Sequence, residues 1–148
     1  MTTKRFWRIW INLDPVGKGR PRAVRRGNFV SVYTPKKTKD FELAIADAVS
    51  LVFAGTDVLE CALRVCVHAV FRRPKSMSRK KDIDGRPHKT TKPDADNILK
   101  AVLDGVVLSG AITDDAIVAD ARCVKKYNAK GCAGLVGIEI ERLELPDH

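Results

Sequence analysis

The stretch "AIVADARCVKKYNAKGCAGLVGIEIERL" (Ala116–Leu143) decides the fold class. Ala116–Tyr127 and Leu135–Leu143 are rich in β-branched residues and read as strands, separated by a glycine-rich turn at Asn128–Gly134. Two strands joined by a turn predict a terminal hairpin. A hairpin after a helix implies a mixed sheet and excludes a doubly wound parallel one. Just upstream, "ADNILKAVLDGVV" (Ala95–Val107) repeats apolar residues at helical spacing, with Leu99, Val102, Leu103 and Val106 as the expected buried stripe.

Working towards the N-terminus, Leu59–Phe71 reads as a long strand with Leu63, Val65, Val67, Ala69 and Phe71 on one face. Phe41, Ile45, Ala48, Val49 and Val52 recur at helical spacing, which predicts a helix from Thr38 to about Phe53, ended near Gly55. "RFWRIWINL" (Arg5–Leu13) places Trp7, Ile9, Ile11 and Leu13 on one strand face. "DPVGKGRPRAVRRGN" (Asp14–Asn28) reads as an exposed loop, and "NFVSVYTP" (Asn28–Pro35) as a short strand stopped by proline. The order is β, short β, α, β, basic loop, α, β, β. This is an α+β protein, a mixed β-sheet with two amphipathic helices, in a single domain expected to span residues 1–148.

The chain carries 27 Lys and Arg against 18 Asp and Glu, a net charge of +9. Such an excess points to an anionic partner, nucleic acid first and an anionic membrane surface second. Segment 72–92 alone holds nine Lys/Arg against two Asp, a net of +7, with no hydrophobic period. It is expected to be a mobile loop. No long apolar run, signal peptide or lipidation motif stands out, so the expected compartment is the cytoplasm, without a membrane anchor. Cys61, Cys66, Cys123 and Cys132 form no C-x-x-C pair, and His68, His88 and His148 are not spaced to complete a zinc site.

The acids at the second helix have two readings. Asp94 precedes the helix and suits an N-cap, where a carboxylate meets free N–H groups and the positive helix end. One cap needs one acid, however. Asp96 follows at i+2, on the same side only if the chain is still extended there, and Asp114-Asp115 precedes the next strand. Acids repel phosphate, and a divalent cation held by oxygen ligands would reconcile them with a nucleic-acid surface. On the helix, Lys100 lies one turn from Asp96 and one turn before Asp104. That is a ladder of surface ion pairs, or an ammonium aimed at phosphate and transition-state charge; spacing does not choose.

"KPDADNILKAVLDGV" (Lys92–Val106) and "TDDAIVADARCVKKY" (Thr113–Tyr127), with "GKGRPR" (Gly17–Arg22) and "VYTPKKTKDFE" (Val32–Glu42) upstream, resemble the RusA family of Holliday junction resolvases. These are small endodeoxyribonucleases common in bacteria and their prophages. The resemblance runs over about residues 10–142. It implies catalytic and metal-binding aspartates at Asp94, Asp96 and Asp115, and an essential lysine at Lys100. Asn97, Asp104 and Asp114 also match, as further ligands or their supports. Ala95 departs from the family pattern, which has a larger apolar residue between the paired acids. The implied cofactor is Mg²⁺, with Mn²⁺ as substitute, and the implied assembly is a homodimer that nicks four-way DNA junctions symmetrically. Arg20, Arg22, Arg25, Arg26, Lys36, Lys37, Arg72, Arg73, Lys92, Lys125 and Lys126 are the expected DNA contacts. The competing readings are a non-catalytic nucleic-acid-binding protein with the acids as caps, and a nuclease for other branched DNA.

Overall fold

The computed structural model describes residues 4–20 and 22–144. A four-stranded mixed sheet is built from β1 (Phe6–Ile11), β4 (Leu63–Phe71), β5 (Val118–Tyr127) and β6 (Leu135–Arg142). Two helices, α1 (Lys36–Val52) and α2 (Ala95–Leu108), accompany it. A separate two-stranded hairpin comprises β2 (Arg22–Arg26) and β3 (Phe29–Tyr33). The fold is thus α+β, as expected.

The terminal hairpin is not formed. The sheet order is β1-β6-β4-β5, so β6 sits between β1 and β4, antiparallel to both, while β5 runs parallel to β4 at the edge. The turn explains this. Tight hairpins use two to five residues, and the chain from Asn128 to Gly134 is longer. Buried Asn128 organises it: its backbone N–H donates to the Phe71 carbonyl (2.7 Å), and its side-chain amide donates to the Ala133 carbonyl (2.7 Å). The turn is thereby fastened to the end of β4, and the chain returns on that strand's other side. Burial follows the same logic, since Val136, Ile138 and Ile140 of β6 are fully buried while β5 is half exposed.

Two loop expectations are also corrected. Residues 22–26, read as part of a loop, form β2. Gly27, with φ of 62°, makes the reversal into β3 that a residue with a Cβ would resist. Segment 72–92 is not a free loop. Arg73 is only 7% exposed, and its guanidinium donates to three carbonyls: Asn128 (2.9 Å), Met77 (2.9 Å) and Gly85 (2.8 Å). Pro87 accepts from the Tyr127 N–H (2.8 Å), and Lys89 N–H donates to the Lys125 carbonyl (3.0 Å), so this segment covers the open edge of β5. Periodicity could not reveal it, because its order comes from polar contacts and not from an apolar face.

The core lies between the helices and one sheet face. Trp7, Ile45, Val49, Val65, Val67, Ile98, Val102 and Ile138 are among its most buried members, with Trp7 stacked on Phe53 at 4.8 Å. On α2 the fully buried residue of the first turns is Ile98, whereas Leu99 is half-buried. The two helices meet at Gly105, where an added Cβ would lie 2.7 Å from Ile45 Cβ and 2.9 Å from the Glu42 carbonyl oxygen.

On an exposed helix, Gly→Ala gains about 1 kcal/mol. At Gly105 the crowding outweighs that gain. Gly105→Ala is expected to lower stability by about 1–2 kcal/mol, read as a reduced urea midpoint at unchanged m-value.

Candidate active site and nucleic-acid interface

Asp94 occupies the N-cap position of α2 with extended backbone (φ −70°, ψ 146°), yet its carboxylate makes no capping hydrogen bond. It accepts instead from Lys92 Nζ at 2.8 Å, and that bond holds the Asp94 carboxyl below its ordinary pKa. Its oxygens therefore stay ionised and face outward. Asp96, exposed in the first turn, accepts from the Asn97 N–H (2.9 Å) and joins no ion pair among the described residues.

Lys100 turns the other way. Its ammonium lies 3.0 Å from Asp115 Oδ2 and 3.1 Å from Asp104 Oδ1. Half of the surface ladder is thus present, at i,i+4 to Asp104, and the same ammonium ties α2 to the 3₁₀ turn at Asp115–Ile117 that leads into β5. Asp114 is exposed at the start of that turn. The bonds to Asp115 and then Asp104 raise the Lys100 pKa, and the Lys100 bond lowers that of Asp115.

Lys18 extends the chain of charges and was not singled out from the sequence. Its ammonium bridges Glu42 (2.5 Å) on α1 and Asp104 (3.0 Å) on α2. Burial pulls its pKa down, but the hydrogen bonds to Glu42 and Asp104 outweigh burial and raise it. The flanking glycines allow this approach. A Cβ at Gly17 would meet Pro93 Cβ at 2.9 Å, and one at Gly19 would meet Pro35 Cγ at 2.9 Å. The Lys18 N–H donates to the Asn97 carbonyl (2.9 Å), docking the "GKG" loop on the first turn of α2. A lysine between two close-packing glycines was the available signal.

The expected DNA contacts separate into two groups. Arg73 holds the 74–86 segment, and Lys125 points its ammonium at the Thr91 (2.7 Å) and Pro93 (2.8 Å) carbonyls, fixing the entry to Asp94. Lys126 is half-buried beside the bridge to His88. By contrast Arg20, Arg22, Arg25, Arg26, Lys36, Lys37, Arg72 and Lys92 are exposed. Lys18, Arg20, Arg22, Lys37, Lys89 and Lys92 line a cleft of about 890 Å³ in which Asp94 is the sole carboxylate among the described residues, with Asn97 beside it. Lys18 is paired with Glu42 and Asp104 and Lys92 with Asp94, so Arg20, Arg22, Lys37 and Lys89 are the positive excess that would attract a polyanion.

The donor chemistry suits a hard cation, since carboxylate oxygens are the ligands magnesium takes. The arrangement is open: among the described residues, no three His, Cys, Asp or Glu side chains gather where one ion could be held. Asp94, Asp96 and Asp115 are therefore not drawn together as a complete ligand set, and Lys92 and Lys100 occupy two of them. Magnesium commonly takes one or two carboxylates and completes its shell with water and substrate phosphate, which such a site accommodates. The cysteines stand apart from these acids in role. All four are free thiols, burial pushes the Cys123 thiol up to about 11, and His148 lies outside the described residues.

The fold is α+β, and Asp94, which lines the cationic cleft, stands at the start of the helix that carries Asp96 and Lys100. The chain matches the family model of endodeoxyribonuclease RusA over residues 12–141 and belongs to that family. Among curated proteins it is similar to the uncharacterized protein YqaN of Bacillus subtilis (strain 168), 33% identical over 121 residues, covering 78% of this chain and 83% of that protein. Among the described residues, no helix is long and apolar enough to cross a membrane.

Because the folded Asp115 pKa lies below its unfolded value, its pairing stabilises the fold above the ordinary carboxylate range. That contribution is lost as pH falls through the depressed pKa. Lys100→Met is expected to move the Asp115 midpoint upward in a side-chain carboxyl NMR titration. An unchanged midpoint would mean that Lys100 is not its partner in solution.

Proposed function

We propose that the protein is a metal-dependent, structure-selective endodeoxyribonuclease that resolves four-way DNA junctions by paired symmetric nicks, in recombination and repair. The observation that carries this reading is the cationic cleft lined by Asp94, at the start of the helix that bears Asp96 and Lys100. The family supports nuclease chemistry on DNA; the preference for junctions, the metal and the assembly are our own reading.

In this reading Arg20, Arg22, Lys37 and Lys92 neutralise backbone phosphates and orient the strand along the cleft. Asp94, Asp96 and Asp115 are the carboxylates that would serve Mg²⁺ or Mn²⁺, one or two of them at a time, with water and substrate phosphate completing the shell and Asp114 and Asn97 adjacent in sequence. When bound, such an ion would supply Lewis-acid polarisation of the scissile phosphate and a more acidic water. Lys92 and Lys100 keep Asp94 and Asp115 ionised by pairing with them. The Lys100 ammonium, paired with Asp104 and Asp115, would stabilise charge developing on phosphate oxygens. Asp104 and Lys18 hold Lys100 in place through the chain of ion pairs. A homodimer would present two equivalent sites to the two equivalent phosphates of a two-fold symmetric junction.

The decisive comparison is wild type beside Asp96→Asn on four-way junction, flap and linear duplex, with and without Mg²⁺. Wild type is expected to cut the junction only with the metal. Asp96→Asn is expected to cut on the order of a hundredfold more slowly or worse, with junction affinity within a few-fold. Wild-type cutting by Asp96→Asn removes the site assignment. Salt-sensitive binding with no cutting in any divalent ion makes the protein a binding module, and equal cutting of flaps makes it a general branched-DNA nuclease.

A further inference from the structure

The β2–β3 hairpin contributes nothing to the core: every residue of both strands is exposed. Yet it carries Val24, Phe29, Val30, Val32 and Tyr33, with Phe29 at 78% exposure beside the turn. Exposed apolar side chains gathered on one small element mark an interaction surface.

The register arranges these side chains by face. Cross-strand partners share a face and successive residues alternate. Arg22 pairs with Tyr33, Val24 with Ser31 and Arg26 with Phe29, so these six lie on one face. Two arginines thus stand directly opposite two aromatic rings. From residue 15 to 39 the chain holds eight Lys and Arg and no Asp or Glu. Arg22, at the base of the hairpin, also lines the cleft that holds Asp94. At about 3.3 Å per residue, the tip stands roughly 13 Å beyond that base.

We infer that this hairpin reads the branch point of the DNA, with Phe29 stacking on a base face that the branch leaves open and Tyr33 serving as a second platform nearer the cleft. Arg22 and Arg26 hold the flanking phosphates. This rests on the nuclease reading above and adds what makes a branched substrate preferable to a duplex. Inside a continuous duplex each base face is covered by its neighbour, and a ring enters only by unstacking a step. Where helices end, that cost falls, and an aromatic platform binds any base. A second copy of the same hairpin is a poorer occupant, because a two-fold contact would set its arginines against one another without a carboxylate between them.

The test uses the full chain, first in EDTA, with a four-way junction carrying 2-aminopurine at its centre and a duplex of equal length. Phe29→Ala is expected to lose about tenfold or more of junction affinity, keep duplex affinity within about twofold and abolish the fluorescence change on binding. Phe29→Trp is expected to restore both, and thermal melting of each variant should match wild type. An unchanged junction-to-duplex ratio and fluorescence response in Phe29→Ala overturns the inference. So does a switch of Phe29→Ala from dimer to monomer by sedimentation, with junction affinity recovered at higher protein concentration, which makes the hairpin an interface between copies. Cleavage in Mg²⁺ separates the two levels. If wild type neither cuts nor prefers branched DNA, the nuclease reading falls and this one with it. If wild type cuts junctions and Phe29→Ala cuts them with the same selectivity, only this inference falls.

Discussion

The close approach of α1 and α2 at Gly105 governs the site. With no side chain there, Ile45 and the Glu42 carbonyl of α1 lie against the backbone of α2. Residue 104 is then brought beside residue 42, and Lys18 bridges their carboxylates. From Asp104 the charges continue through Lys100 to Asp115, across to the strand that follows. Ion pairs of this exposure contribute about 0–1 kcal/mol each, so the chain orients more than it stabilises. Stability comes from the apolar contact between helices and sheet, and the charges use the geometry that the contact fixes.

The basic character of the protein divides by role. One set of cations is spent on its own backbone and acids: Arg73 on three carbonyls, Lys125 on two, Lys18 on two carboxylates. These give shape to loops that lack an apolar face. The other set, Arg20, Arg22 and Lys37 at the cleft with Arg25 and Arg26 on the hairpin, is exposed where a phosphate can reach it. Net charge alone could not distinguish a guanidinium that holds a loop from one that would hold a strand of DNA.

The acids show a related economy of arrangement. A capping aspartate normally spends its oxygens on helix N–H groups. Asp94 stands at that position but makes no capping bond; one of its oxygens accepts from Lys92 instead, and Lys125 fixes the preceding carbonyls. Its carboxylate is thereby kept charged in a cleft whose other charged side chains, among the described residues, are cationic.

The two helices, the long strands and the acid-bearing segment were legible in the sequence because each has a strong local signature. Apolar residues repeat at 3.6 or 2, and the segment that carries the acids lies within residues 12–141, which match the family model. The order of the strands was not legible. Local patterning says that β5 and β6 are strands, but their separation by β4 depends on Asn128 meeting Phe71, residues far apart in the chain. The order in segment 72–92 and the part played by Lys18 were hidden for the same reason. Each rests on polar contacts between distant residues, which carry no period. Sequence by itself determined which groups are available; only the tertiary structure decided which cations are spent internally, which acids remain outward, and which aromatic rings are left in water.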